Sequence, residues 1–144
     1  SAFWRAFRYL TEKHSFAALW TNLFRCSVEI RGSPGKFGSV IKNTTKTEQE
    51  LLLASQRGLL SKEFRFLRPD GAVFFTGPNY DFVLLKEFPD ARLEPVKRWT
   101  ERQFSRVRSA ELPEKSFRIY HPSYLNRDRH RWGWLEDLAT LLAE

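Results

Sequence analysis

The chain has 144 residues, with 13 Phe and 5 Trp, and a net charge of +7: enough apolar material for one buried core and too little length for two ordinary domains. No apolar run approaches the roughly twenty residues that span a bilayer, and the single cysteine, Cys26, excludes both an intramolecular disulfide and a cluster of thiolate ligands. His14 and His130 form no metal-ligand spacing with Cys26 or with each other, and no secretory-signal pattern opens the chain, so a cytoplasmic domain with no metal or other cofactor is expected.

In chain order, Ser1 reads as a helix cap. Phe3, Trp4, Phe7 and Leu10 follow at the spacing of one buried helical face, which predicts a helix ending near His14. Residues 16–20, FAALW, form an apolar run too short for a helix. The run halts at Thr21 and Asn22 and reads as a buried strand. The segment 27–46, punctuated by Gly32, Pro34, Gly35 and Gly38, reads as a long loop whose GSPGKFGS stretch lacks the spacing of a triphosphate-binding loop. Thr47 with Glu50 predicts the cap of a single helix reaching about Leu67, with Leu52, Leu59, Leu60 and Leu67 on one side and Pro69 and Gly71 as its stop.

From Ala72, AVFFTGPNYDFVLLKEF predicts a strand, a Gly-Pro break and a short helix bearing Tyr80, Val83, Leu84 and Phe88. Strands at 93–99, 104–108 and 117–120 follow. A last helix at about 128–143 buries Leu135, Leu138 and Leu142. Alternating helices and apolar strands point to a single domain over residues 1–144 with a three-layer α/β/α fold and a mostly parallel sheet. In such folds the ligand crevice lies at the carboxyl ends of the strands. Thr21-Asn22-Leu23, Thr76-Gly77-Pro78-Asn79 and His121-Pro122-Ser123 are therefore expected to meet there.

The charge is uneven. Residues 97–131 hold ten basic residues against four acidic ones, a surplus of six. Such clustering favours a polyanionic partner, because each neutralised phosphate releases condensed counterions.

The order of ALWTN, LRPDGAVFFTG and HPSYL, followed by an arginine-rich stretch leading into the last helix, resembles the uracil-DNA glycosylase superfamily. The resemblance implies a four-stranded sheet and an enzyme that extrudes a nucleotide, holds its base in a pocket and hydrolyses the N-glycosidic bond, in base excision repair or in defence against phage DNA with modified bases. It implies that His121 donates a hydrogen bond to the departing base and that Asn22 reads the base edge. Trp20, Gly77 and Asn79 would line the base pocket, Leu125 would wedge into the emptied stack, and Ser123, Tyr124, Arg127, Arg129 and Arg131 would engage DNA. A monomer acting on DNA, with no membrane partner, is expected.

Taken singly, these residues have plainer roles: His121 can close a turn, Asn22 can form an Asx turn, and Leu125 can belong to the core. The family's Gly-x-Asp-Pro-like turn, which carries the water-positioning acid, has no counterpart in this sequence. Either that first strand lies upstream of residue 1, which is the favoured expectation, or the chain is a noncatalytic relative that binds nucleic acid. The base is uracil or a bulkier modified pyrimidine.

Overall fold

The computed structural model describes residues 1–127 and 133–144. Helix α1 (Ala2–Arg8) runs into a π turn over Tyr9–Lys13. Its buried face is narrower than expected: Ala6 and Leu10 are enclosed, Phe3 and Phe7 are half-buried, and Trp4 is 43% exposed. Residues 16–20 are not a strand. They lie in irregular backbone with Leu19 81% and Trp20 51% exposed. A strand needs a neighbour for its N–H and C=O groups; this run has no ladder partner among the described residues, and its large ring packs on Phe3 and Trp4 instead.

The segment expected as a loop contains a small antiparallel pair, β1 (Val28–Glu29) and β2 (Phe37–Gly38), and one helical turn, α2 (Val40–Asn43). The helix expected from Thr47 starts earlier and breaks in two. Thr45 caps α3 (Lys46–Ser55), its hydroxyl accepting from the Glu48 N–H at 3.3 Å while the Glu48 carboxylate accepts from the Thr45 N–H at 2.6 Å. This reciprocal box takes precedence over the Thr47–Glu50 pairing. Gly58, at φ +75, then separates α3 from α4 (Leu59–Leu67). That backbone conformation suits glycine and ends a right-handed helix. The Glu87 carboxylate accepts from the N–H groups of Gly58, Leu60 and Ser61, satisfying donors that a helix start leaves open.

The main sheet comprises β3 (Gly71–Phe74), β4 (Arg92–Pro95), β5 (Phe104–Arg108) and β6 (Lys115–Ile119) in the order β3-β6-β5-β4. Between β3 and β4 lie a 3-10 turn at Pro78–Tyr80 and helix α5 (Asp81–Glu87), matching the predicted strand-loop-helix unit. Among the described residues this sheet has four strands, but it is mixed and not mostly parallel. Only β3 and β6 run parallel, whereas β4–β5 and β5–β6 are antiparallel. The physical reason is connection length. Residues 96–103 and 109–114 are too few for the crossover of a dozen or more residues that parallel neighbours require. The β3–β6 pair has α5, β4 and β5 between its members in sequence.

Helix α6 (Gly133–Ala143) buries Trp134, Leu135, Leu138, Ala139 and Leu141, with Leu142 only half-buried. Its expected start at Asp128 lies outside the described residues. Strand alternation sends side chains to opposite faces. Phe104, Phe117 and Ile119 pack with α6, Ala6 and Leu10, while Ala72, Phe74 and Val107 pack with Leu60, Leu84, Phe88 and Leu112. Helices thus contribute apolar side chains to the core on both faces of the α/β sheet. Among the described residues, no helix is long and apolar enough to cross a membrane.

Candidate functional site

Because β3 and β6 are parallel neighbours, the chain leaves both at the same end of the sheet. Two of the three predicted stretches therefore meet. The Gly77 N–H donates to the Ile119 carbonyl at 2.9 Å, tying the first loop to the end of β6. Gly77 sits at φ +68, and a Cβ there would lie 3.2 Å from Tyr120 Cδ1, so both backbone conformation and close approach call for glycine. Pro78 begins the following 3-10 turn.

A buried ion pair holds the two loops together. Arg118, near the end of β6, is 0% exposed and donates through Nη2 to Asp81 Oδ2 at 3.1 Å; Asp81 opens α5, directly after the Gly77 loop. Arg118 Nε lies 2.9 Å from Asp81 Oδ1, an electrostatic contact too poorly aligned for a hydrogen bond. Arg118 also donates to the carbonyls of Arg102 at 2.8 Å and Glu101 at 2.9 Å. Burial raises the Asp81 carboxyl above its ordinary range, and the neighbouring Arg118 offsets part of that rise.

His121 follows within three residues of Arg118. Its Nδ1 accepts from the Ser123 backbone N–H at 3.2 Å and lies 2.9 Å from Ser123 Oγ. An N–H can only donate, so Nδ1 carries no proton, the Ser123 hydroxyl donates to it as well, and the ring is the neutral tautomer with its proton on Nε2. Burial of the ring pushes the His121 pKa below 6.5. Protonating Nδ1 would set it against the Ser123 N–H, so geometry and desolvation agree in direction; the residue remains partly solvent-exposed, which limits the size of the effect.

The sign follows from which state takes up the proton first. The folded pKa lies below the unfolded one, so the unfolded chain protonates first; the stability contributed by His121 is whole above about pH 6.5 and is lost as pH falls through that value and then the folded one. Ring NMR is expected to show the Nε2–H tautomer at pH 7 and a midpoint below 6.5. Ser123→Ala, which removes the hydroxyl donor, is expected to move the midpoint upward. A wild-type midpoint above 6.5 contradicts the assignment.

The other predicted residues are distributed as follows. Asn22 is exposed in irregular backbone and has no hydrogen bond to His121 or Gly77 among the described residues. It lies between Trp20, whose ring meets Phe3, and Phe24, whose ring meets Tyr80 at 6.3 Å. Asn79 is exposed in the 3-10 turn after Gly77. Tyr124 is half-buried between Tyr120, at 5.2 Å, and the Arg127 guanidinium, at 4.7 Å. Tyr120 in turn stacks on Trp134 at 5.4 Å, which ties this loop to α6. Ser123, Leu125 and Arg127 belong to a 3-10 turn at Pro122–Arg127. Arg129, Arg131 and the side chain of Leu125 lie outside the described residues.

Three features escaped the sequence reading. Thr76 Oγ1, beside Gly77, is buried without a hydrogen-bond partner among the described residues. Arg118 falls within the basic surplus of residues 97–131, and no local pattern marks it as buried. Residues 1–46 carry eight basic residues against two acidic ones, a second surplus of six that a charge count over the whole chain would have found. No protein-family model, curated protein or solved structure matches the chain.

Proposed function

We propose that this domain recognises a flipped base in DNA and acts as a DNA glycosylase on uracil or a modified pyrimidine, in base excision repair or in defence against modified phage DNA. The observation that carries the reading is the neutral His121 ring, whose Nδ1 is occupied by Ser123 and whose Nε2–H remains a donor next to the Gly77 loop. In base release the C1′–N bond breaks and its electron pair leaves with the base. Water then supplies hydroxide to C1′ and a proton to the base. A fixed donor aimed at the base oxygen favours the transition state, where that negative charge develops.

In this reading Asn22 and Asn79 contact the base edge, Trp20 and Gly77 border the pocket, and Ser123, Tyr124, Leu125, Arg127, Arg129 and Arg131 engage the strand. The helix contributions to both sheet faces and the parallel β3–β6 pair support a three-layer, glycosylase-like arrangement. The protein would act as a cytoplasmic monomer on DNA.

One observation favours a second reading, a noncatalytic nucleic-acid binding module. Asp81, which opens the helix after the Gly77 loop, is committed to Arg118, and Asp70 lies at the opposite, amino end of β3. Incubation of the protein with oligonucleotides carrying uracil or modified pyrimidines separates the two. The glycosylase reading predicts alkali-labile abasic sites. The second predicts salt-sensitive binding that survives His121→Ala and leaves every strand intact.

A further inference from the structure

We propose that Trp4 and Trp20 form a stacking platform for the unpaired bases of single-stranded nucleic acid, with Arg8 neutralising a phosphate of the strand. The two indoles meet edge to face, centroids 5.7 Å apart at 90°, and stay 43% and 51% exposed. Edge-to-face contact covers part of one ring only, and although Trp4 also meets Phe3 and Phe7 edge to face, the remaining exposure leaves indole surface open on both rings. Phe3 touches Trp20 at 6.0 Å and Phe75 at 6.1 Å, and Phe75 packs on the main core, so the platform is anchored to the sheet. Phe75 directly precedes Thr76 and Gly77, and α1 packs against Pro122–Arg127. The platform therefore borders the carboxyl ends of β3 and β6, the end that holds His121.

Charge selects the occupant. Arg8 lies one helical turn from Trp4, on the same side of α1, and is exposed. It belongs to the stretch with eight basic residues against two acidic ones. A second copy would set like charges against each other, whereas a polyanion whose bases are free to stack matches rings and guanidinium groups together. Duplex bases already cover one another, so an unpaired strand is favoured. This inference rests on the nucleic-acid reading above for its partner and does not depend on base release.

The test is fluorescence anisotropy of labelled oligo(dT) and of a duplex of equal length, with tryptophan emission followed in parallel. Wild type is expected to bind the single strand more tightly and to show quenched emission. Trp4→Ala and Trp20→Ala are each expected to weaken binding by about tenfold, with circular dichroism matching wild type. Unchanged affinity in both variants, equal affinity for the duplex, or concentration-dependent self-association without oligonucleotide binding overturns the proposal. Where an alanine variant fails to fold, Trp4→Phe and Trp20→Phe decide it: the quench is expected to shrink, and an unchanged quench in both overturns it. Base release with tryptophan-independent binding would defeat this proposal alone, and tryptophan-dependent binding without base release would defeat the glycosylase reading alone.

Discussion

Arg118→Ala is expected to destabilise the protein by about 3–5 kcal/mol, read from urea unfolding at neutral pH, because breaking a buried ion pair leaves an uncompensated charge. The side chain is 0% exposed and donates to two backbone carbonyls and to Asp81. Truncation orphans the Arg102 carbonyl and Asp81, while the Glu101 carbonyl keeps the Ser105 hydroxyl at 2.5 Å. The Asp81 carboxyl, already raised by burial, loses the cation that offsets that rise. Removing both charges in Arg118→Ala/Asp81→Ala is expected to recover part of the loss, since no buried carboxylate then remains unpaired. Arg118→Lys is expected to recover little, because an ammonium lacks the planar fork that reaches Asp81 and both carbonyls at once. A loss under about 1 kcal/mol in Arg118→Ala, the range of an exposed pair, contradicts the clamp.

The second large effect concerns activity. His121→Ala is expected to lower the single-turnover rate of base release by about 10²–10³, the usual cost of removing one preorganised donor to a developing anion, while affinity for substrate DNA changes little. The split matters because a residue that merely closed the loop would affect binding as well as rate. His121→Gln, which keeps an N–H donor on a side chain of different reach, is expected to retain more activity than alanine. Any loss of rate from protonating the ring is expected to have its midpoint below pH 6.5, since burial lowers the His121 pKa from that value. An unchanged rate in His121→Ala removes the residue from the mechanism.

What the sequence made legible was local. Phe104–Arg108 has the bounds the sequence predicts, although its burial does not alternate: Phe104, Ser105 and Val107 are all enclosed. The Gly77-Pro78 break and the helix after it were equally plain, since glycine and proline punctuate through backbone conformation alone. Strand direction was not legible by that route: β4, β5 and β6 read like buried parallel strands, and only the shortness of their connections reveals that they run antiparallel. Residues 16–20 misled for a related reason. An apolar run fixes what is to be covered, not what covers it, and aromatic packing of Trp20 against Phe3 and Trp4 took the place of a ladder.

At the site, HPSYL drew attention to His121, but the hydrogen bond from the Ser123 N–H that sets its tautomer depends on the 3-10 turn. Arg118 shows the opposite limit. Arginine is seldom fully buried, so a charge count assigns it to the surface until a facing carboxylate is seen, and Asp81 lies 37 positions earlier in sequence.

The most direct measurement is chromatographic detection of free base in single-turnover mixtures of the protein with oligonucleotides carrying one uracil or one modified pyrimidine, single-stranded and duplex. The glycosylase reading predicts free base and abasic strand in equal amounts from at least one substrate, with the rate collapsing in His121→Ala. Intact oligonucleotide throughout, under conditions where the complex forms, contradicts it.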